Sequence, residues 1–156
     1  MRRRDGFTLI ELTVVVSIAG IMVALGALTF SGYFQKSAAR RAAQLFARDL
    51  LVARSFAVRS QEPVVVRVFE DMLWYQIVSG STATEVVRRR FAGSSPDVGL
   101  SGIALEVSGD TLVFNTRGQI EMSAVGGSLG TAAFSAGATT YRVHFNRLGT
   151  SRVEGS

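Results

Sequence analysis

Cysteine is absent from the 156 residues, and histidine occurs once, as His144. The first absence excludes a disulfide framework and a thiolate metal site. His144 stands in an alternating segment, Thr140 to Phe145, and reads as a packed or edge side chain rather than a general base. Acidic residues number 12 against 17 lysines and arginines, a formal charge of +5. Glu70-Asp71 is the one adjacent acidic pair, and no spaced set of acids surrounds it to hold a cation, so it reads as a solvated hairpin turn. Neither a P-loop nor a Cys/His ligand spacing is present, and no nucleophile elbow is expected. These gaps point to a component, not an enzyme, with no cofactor and no metal. Proline is scarce too, two residues against 16 glycines, which suits short strands joined by turns.

Charge is missing from one long stretch. Between Phe7 and Phe30 the only formally charged side chain is Glu11. Such a run fits the ~20 residues that a membrane-spanning helix needs. Arg2, Arg3 and Arg4 stand in front of it. A basic cluster stays on the cytoplasmic side, which sends the rest of the chain across the membrane. A secretory signal peptide would have a shorter apolar core, ~7–15 residues, with its cleavage site after the core. A carboxylate buried in hydrocarbon costs roughly 2.5–3.5 kcal/mol on insertion scales. Glu11 therefore has two readings: an interfacial carboxylate near the headgroups, or a charge awaiting a positive partner from another subunit.

The order of these features carries a resemblance. A short basic leader ending in Gly6, then Phe7-Thr8-Leu9-Ile10-Glu11 and a long apolar run, resembles the type III signal of type IV prepilins and pseudopilins. The resemblance implies that a membrane-embedded prepilin peptidase cuts after Gly6 and methylates the new N-terminal residue, Phe7. It implies that Glu11, the fifth residue after the cut, pairs with the free N-terminus of a neighbouring subunit. The second reading of Glu11 then leads. Without Arg2 to Arg4 and Asp5 the chain keeps 14 basic and 11 acidic residues, a charge of +3 and weak support for a polyanionic partner.

Beyond Phe30 the helical signal continues with a changed surface. Ala39, Ala43, Phe46, Leu50, Ala53 and Ala57 recur every three or four residues, the stripe of an amphipathic helix. Lys36, Arg40, Arg41, Arg48, Arg54 and Arg59 fill the remaining surface and read as a solvated polar face. No proline interrupts residues 7 to 62, so one long helix is expected, with Ser31-Gly32 its place for a bend. From Pro63 the pattern becomes strands: 64–69, 74–78, 85–91, 103–107, 111–114, 119–122, 140–145 and 150–153. Ser108-Gly109-Asp110 is a tight-turn signal between two of them. Residues 123–138, rich in Gly, Ala and Ser, predict an exposed loop. Phe114-Asn115-Thr116-Arg117-Gly118 and Phe145-Asn146-Arg147-Leu148-Gly149 each read as a strand ending in a turn where glycine takes positive φ.

The helix end Ala53-Arg54-Ser55-Phe56-Ala57, the turn Ser60-Gln61-Glu62-Pro63 and the Val-rich strand after it resemble the GspH/FimT family of minor pseudopilins and minor pilins. The fold expected is α+β and pilin-like, a long N-terminal helix packed on a C-terminal antiparallel sheet or sandwich. The expected division is a leader (1–6), a transmembrane and assembly helix (7–30), its amphipathic continuation (31–62) and a β-rich periplasmic domain (63–156). The leading reading is an H-type minor pseudopilin near the tip of a type II secretion pseudopilus, anchored in the inner membrane and assembling with other pseudopilins through the helix. The other is a minor type IV pilin of the FimT type that binds DNA for uptake. Its contacts would be Arg142, Arg147 and Arg152, because a phosphate backbone needs several cations along one surface.

Overall fold

The computed structural model describes residues 8–80, 82–92, 98–106, 111–121 and 129–155. Among the described residues there are one α-helix and nine strands. They are α1 (Leu9–Ser60), β1 (Val64–Phe69), β2 (Trp74–Ser79), β3 (Glu85–Arg90), β4 (Gly102–Glu106), β5 (Thr111–Phe114), β6 (Ile120–Glu121), β7 (Leu129–Ala136), β8 (Thr139–Asn146) and β9 (Ser151–Gly155). Two compact units divide between Phe34 and Gln35.

In the first unit, Leu9–Gly26 is long and apolar enough to cross a membrane, and none of it is buried within the protein. Its hydroxyl groups are satisfied by the helix itself. Thr13 Oγ1 donates to the Ile10 carbonyl at 2.8 Å and Ser17 Oγ to the Thr13 carbonyl at 2.7 Å. Such internal bonds are what a membrane-spanning helix would need, since hydrocarbon offers a polar group no other partner.

The second unit is built on the apolar stripe of the helix. Ala39, Ala42, Ala43, Phe46, Leu50, Ala53 and Ala57 are all buried, because spacings of three and four return side chains to one face. The six cations expected on the opposite surface, from Lys36 to Arg59, are all exposed. The helix ends at Ser60 because Gln61 turns left-handed, φ 56°, and its side-chain amide donates to the Val58 carbonyl at 2.6 Å.

Two antiparallel sheets share this helix face: a five-stranded sheet in the order β3-β2-β1-β5-β6 and a four-stranded sheet in the order β4-β7-β8-β9. Phe46 joins the layers. Its ring lies 5.2 Å from that of Tyr75 in the first sheet, and 5.3 Å and 6.5 Å from those of Phe134 and Phe145 in the second. Alternate residues of the inner strands point into this core: Val64, Val66 and Val68 from β1, Tyr75 and Ile77 from β2, Val143 and Phe145 from β8.

The structure corrects three expectations. Part of the stretch expected as a loop, 123–138, is the strand β7, whose Ala132, Phe134 and Ala136 are buried between β4 and β8. Residues 107–110 lie outside the described residues. The strands that flank them are not hairpin partners, for β4 pairs with β7 in one sheet and β5 with β1 and β6 in the other. The pair Glu70-Asp71 does sit in the β1–β2 turn, but Glu70 is not merely solvated. Its carboxylate accepts the Leu105 amide at 2.7 Å, tying the first sheet to the second.

Candidate assembly and binding sites

Gly6 and Phe7, the residues of the expected cleavage and methylation, lie outside the described residues. Glu11 is described, and it occupies the third position of the helix. Thr8 stands at the N-cap: its hydroxyl oxygen accepts the Glu11 amide at 3.3 Å and its O–H faces the Glu11 carboxylate at 3.5 Å. A threonine cap with an acid three residues on satisfies helix-end donors and places negative charge at the positive end of the helix dipole. The Glu11 side chain remains exposed. It is the one charged group on the exposed apolar surface of Leu9–Gly26.

The C-terminal arginines fall on the second sheet. The β8–β9 register sets Arg142 opposite Glu154 and His144 opposite Arg152, so all four side chains share the outward face. His144 is half-buried and engaged on both ring nitrogens. Nδ1 lies 3.1 Å from Thr131 Oγ1, and Nε2 lies 3.5 Å from Glu154 Oε2. Arg147 lies beyond the strand, in the turn to β9, exposed. Two of the three arginines therefore share a face with an acid between them, and the third stands at its end.

That turn has a twin. In each, a glycine takes a left-handed φ, +71° at Gly118 and +72° at Gly149, and its amide donates back to the asparagine carbonyl, Asn115 at 2.8 Å and Asn146 at 2.9 Å. The asparagine side chain in each accepts two further amides, from Arg117 and Gln119 in one and from Leu148 and Thr150 in the other, all at 3.0 Å. The Ile120 amide donates to the Arg147 carbonyl at 2.8 Å, which couples the turns. Both glycines lie against Arg54 of the helix. A Cβ on Gly118 would stand 2.9 Å from Arg54 Cγ, and one on Gly149 3.4 Å from its Cδ.

The most buried charge among the described residues escaped the sequence reading. Asp49 lies on the inner helix face, 2% exposed. Its carboxylate accepts the Tyr75 hydroxyl at 2.8 Å and the Arg89 Nε–H at 2.9 Å. Burial first, then the negative charge of Asp49, push the Tyr75 hydroxyl far above its ordinary range. Arg89 reaches inward while its neighbours Arg88 and Arg90 are exposed, as strand alternation requires of Arg88-Arg89-Arg90. An acid one residue from the apolar stripe was the available signal.

One spacing needs correction. Gly126-Gly127-Ser128-Leu129-Gly130 matches G-x-S-x-G. A nucleophile elbow needs a helix after its serine, and here strand β7 begins at Leu129, so the match is not such an elbow. Among the described residues no group of three or more His, Asp or Glu gathers to hold a metal ion.

With the fold and these sites in view, comparison places the chain among known proteins. Residues 42–149 match the family described as Type II transport protein GspH, and residues 1–27 match the prokaryotic N-terminal methylation motif. The competence protein ComGD of Bacillus subtilis (strain 168) is 30% identical over 118 residues, 76% of this chain and 75% of that one. The minor pseudopilin EpsH of the type 2 secretion system of Vibrio cholerae shares the fold with a TM-score of 0.52 at 17% identity, over 75% of this chain and 96% of that one. The type IV minor pilin FimU of Pseudomonas aeruginosa (strain PAO1) does so with a TM-score of 0.58 at 16% identity, over 78% and 92%. The chain belongs to the GspH family, and its fold is that of minor pseudopilins and minor pilins.

Proposed function

We propose that this chain is a minor pseudopilin, a structural subunit near the tip of a type II secretion pseudopilus, and that it acts by assembly rather than by catalysis. Before assembly the apolar helix anchors it in the inner membrane with the β domain in the periplasm. A prepilin peptidase removes the leader after Gly6 and methylates Phe7. The helix then leaves lipid for a bundle of its neighbours' helices.

The observation that carries this reading is the placement of Glu11. It is an exposed carboxylate on an unburied apolar helix, capped by Thr8 at the end where a neighbour's new amino terminus would lie. In a low-dielectric bundle an opposite charge relieves the cost of that carboxylate, and the pairing fixes the axial register between subunits.

Coexpression with a prepilin peptidase tests it. The expected product has lost residues 1–6 and gained a methyl group on Phe7. Glu11→Ala is expected to be processed normally and to fail to enter pseudopili. Assembly of that variant at the level of the unaltered chain would overturn the reading. A second reading, a minor type IV pilin that binds DNA, draws its support from Arg142 and Arg152 on one outward face and from the resemblance to a competence protein.

A further inference from the structure

The outer face of the first sheet is turned away from the core. Strand register sets out its rows: Val65 faces Val78 and Val78 faces Glu85, while Arg67 faces Gln76 and Gln76 faces Arg88. Between Ile77 and Val78 the pairing with β3 skips Val86, and this irregularity brings Glu85 to the outer face. A cavity of about 250 Å3 lies over these rows. Val65 and Val78 give it an apolar lining, and Arg67, Gln76 and Arg88 a polar one. Gly80 and Ala83, from the turn between β2 and β3, line its end.

The two arginines are prepared differently. Arg88 is ion-paired with Glu85, and its guanidinium lies 5.3 Å from the centre of the Trp74 ring. Trp74 in turn stacks on Phe69, with ring centres 4.1 Å apart and planes 4° from parallel. Arg88 is therefore held before any ligand arrives, so little side-chain freedom is lost on binding. Arg67 is exposed and has no acidic partner among the described residues. Both arginines flank Gln76, which sets their backbones roughly 10 Å apart, two strand spacings. Two long side chains converge across such a span, and one carboxylate above Gln76 can accept from both.

We propose that this face binds an acidic and aliphatic segment of another protein. A carboxylate of the segment sits over Gln76 between Arg67 and Arg88, and a neighbouring aliphatic side chain covers Val65 and Val78. The lining holds two cations against one anion, Glu85, so an incoming carboxylate restores the balance. The cavity is smaller than the roughly 300–1,000 Å3 of small-molecule sites, which suits the side chains of a peptide better than a free cofactor. A single-stranded nucleic acid relies on open aromatic faces. Here Trp74 already has Phe69 and Arg88 against its ring, and Glu85 would meet the phosphates. The site stands on the geometry of this sheet alone, so it holds for a secretion pseudopilus and for a pilus alike.

Trp74, the single tryptophan, reports on Arg88 directly. The full-length chain in zwitterionic detergent micelles is titrated with a short capped peptide of alternating aspartate and leucine, and Trp74 emission is followed. A saturable change is expected, and asparagine in place of the aspartates is expected to abolish it. Arg67→Gln, an exposed change that leaves the core untouched, is expected to weaken binding by roughly tenfold. Arg142→Gln, on the second sheet, is expected to leave it unaltered. No saturable change, or equal binding to the chain with Arg67→Gln, would overturn the proposal. So would equal weakening by Arg67→Gln and Arg142→Gln, the mark of general attraction to a basic domain. A single-stranded oligonucleotide that binds this face where the peptide does not would overturn it in favour of a nucleic-acid surface.

Discussion

The phenol oxygen of Tyr75 lies 2.8 Å from a carboxylate oxygen of Asp49, joining the first sheet to the inner face of the helix across 26 positions of sequence. Arg89, from the strand beside Tyr75, closes the same carboxylate at 2.9 Å. A buried acid with a cation and a hydroxyl is expensive to form and more expensive to break, because each group left behind has lost water and partner together. Asp49→Ala is expected to destabilise the domain by about 2–4 kcal/mol, and Tyr75→Phe by about 1. Urea unfolding followed by the single tryptophan, Trp74, measures both. An Asp49→Ala loss below about 1 kcal/mol would show that the three groups sit together without clamping helix to sheet.

The same pair fixes how stability responds to alkali. Tyrosine ionises near pH ~10 in the unfolded chain. Folded, Tyr75 keeps its proton well beyond that, held by burial and by Asp49. Above pH ~10 the unfolded state therefore binds fewer protons than the native one, and this group's contribution falls by up to ~1.4 kcal/mol per pH unit. Below that pH the contribution is intact. Tyr75→Phe removes the titrating group, so the gap between the two proteins is expected to narrow from pH ~9 to ~11 and then reverse. A gap constant across that range would mean that Tyr75 ionises as readily folded as unfolded.

The twin turns make different demands from other glycine positions. At Gly118 the backbone is left-handed, and an added Cβ would stand 2.8 Å from Val58 Cγ2 and 2.9 Å from Arg54 Cγ. Gly118→Ala combines backbone strain with a clash against the helix, an expected loss of about 2–4 kcal/mol. Gly99 has open space around it and no positive φ, so Gly99→Ala should be neutral or gain up to about 1 kcal/mol through the unfolded state. Thermal unfolding of the two variants side by side checks the contrast. Equal shifts would show that the turn can move away from the helix.

Legibility in the sequence followed the kind of signal each element carries. The apolar stripe from Ala39 to Ala57 was readable because one helix face meets one core, and the strand 64–69 because a Val-rich run follows the polar turn ending at Pro63. The twin turns were readable because positive φ selects glycine and the asparagine three residues earlier supplies the acceptors. Strand β7 was hidden, since Gly, Ala and Ser carry little propensity, and burial of Ala132 and Ala136 depends on β4 and β8 closing over them. Separation of β4 from β5 was hidden too, for a short turn signal says nothing about which sheet each flank joins. Asp49 is the sharpest case. An acid beside an apolar stripe reads as solvated until Tyr75 and Arg89 arrive from strands far along the chain.

Whether the C-terminal arginines bind duplex DNA separates the two functional readings. Arg142 faces Glu154 across the β8–β9 pair, and Arg152 faces His144, which leans on the same Glu154. A phosphate approaching this face meets a carboxylate among its cations, and Arg147 stands apart at the strand end. Each phosphate contact adds about −0.9 to the slope of log affinity against log salt. With few cations able to act together, binding should be absent at about 0.15 M salt. Titration of a labelled duplex across a salt series checks this, with Arg142, Arg147 and Arg152 changed to alanine in parallel. A complex that survives at about 0.15 M salt and disappears in the triple variant would require Glu154 to swing away from the face. That outcome would favour the reading as a DNA-binding minor pilin over the proposed secretion pseudopilin.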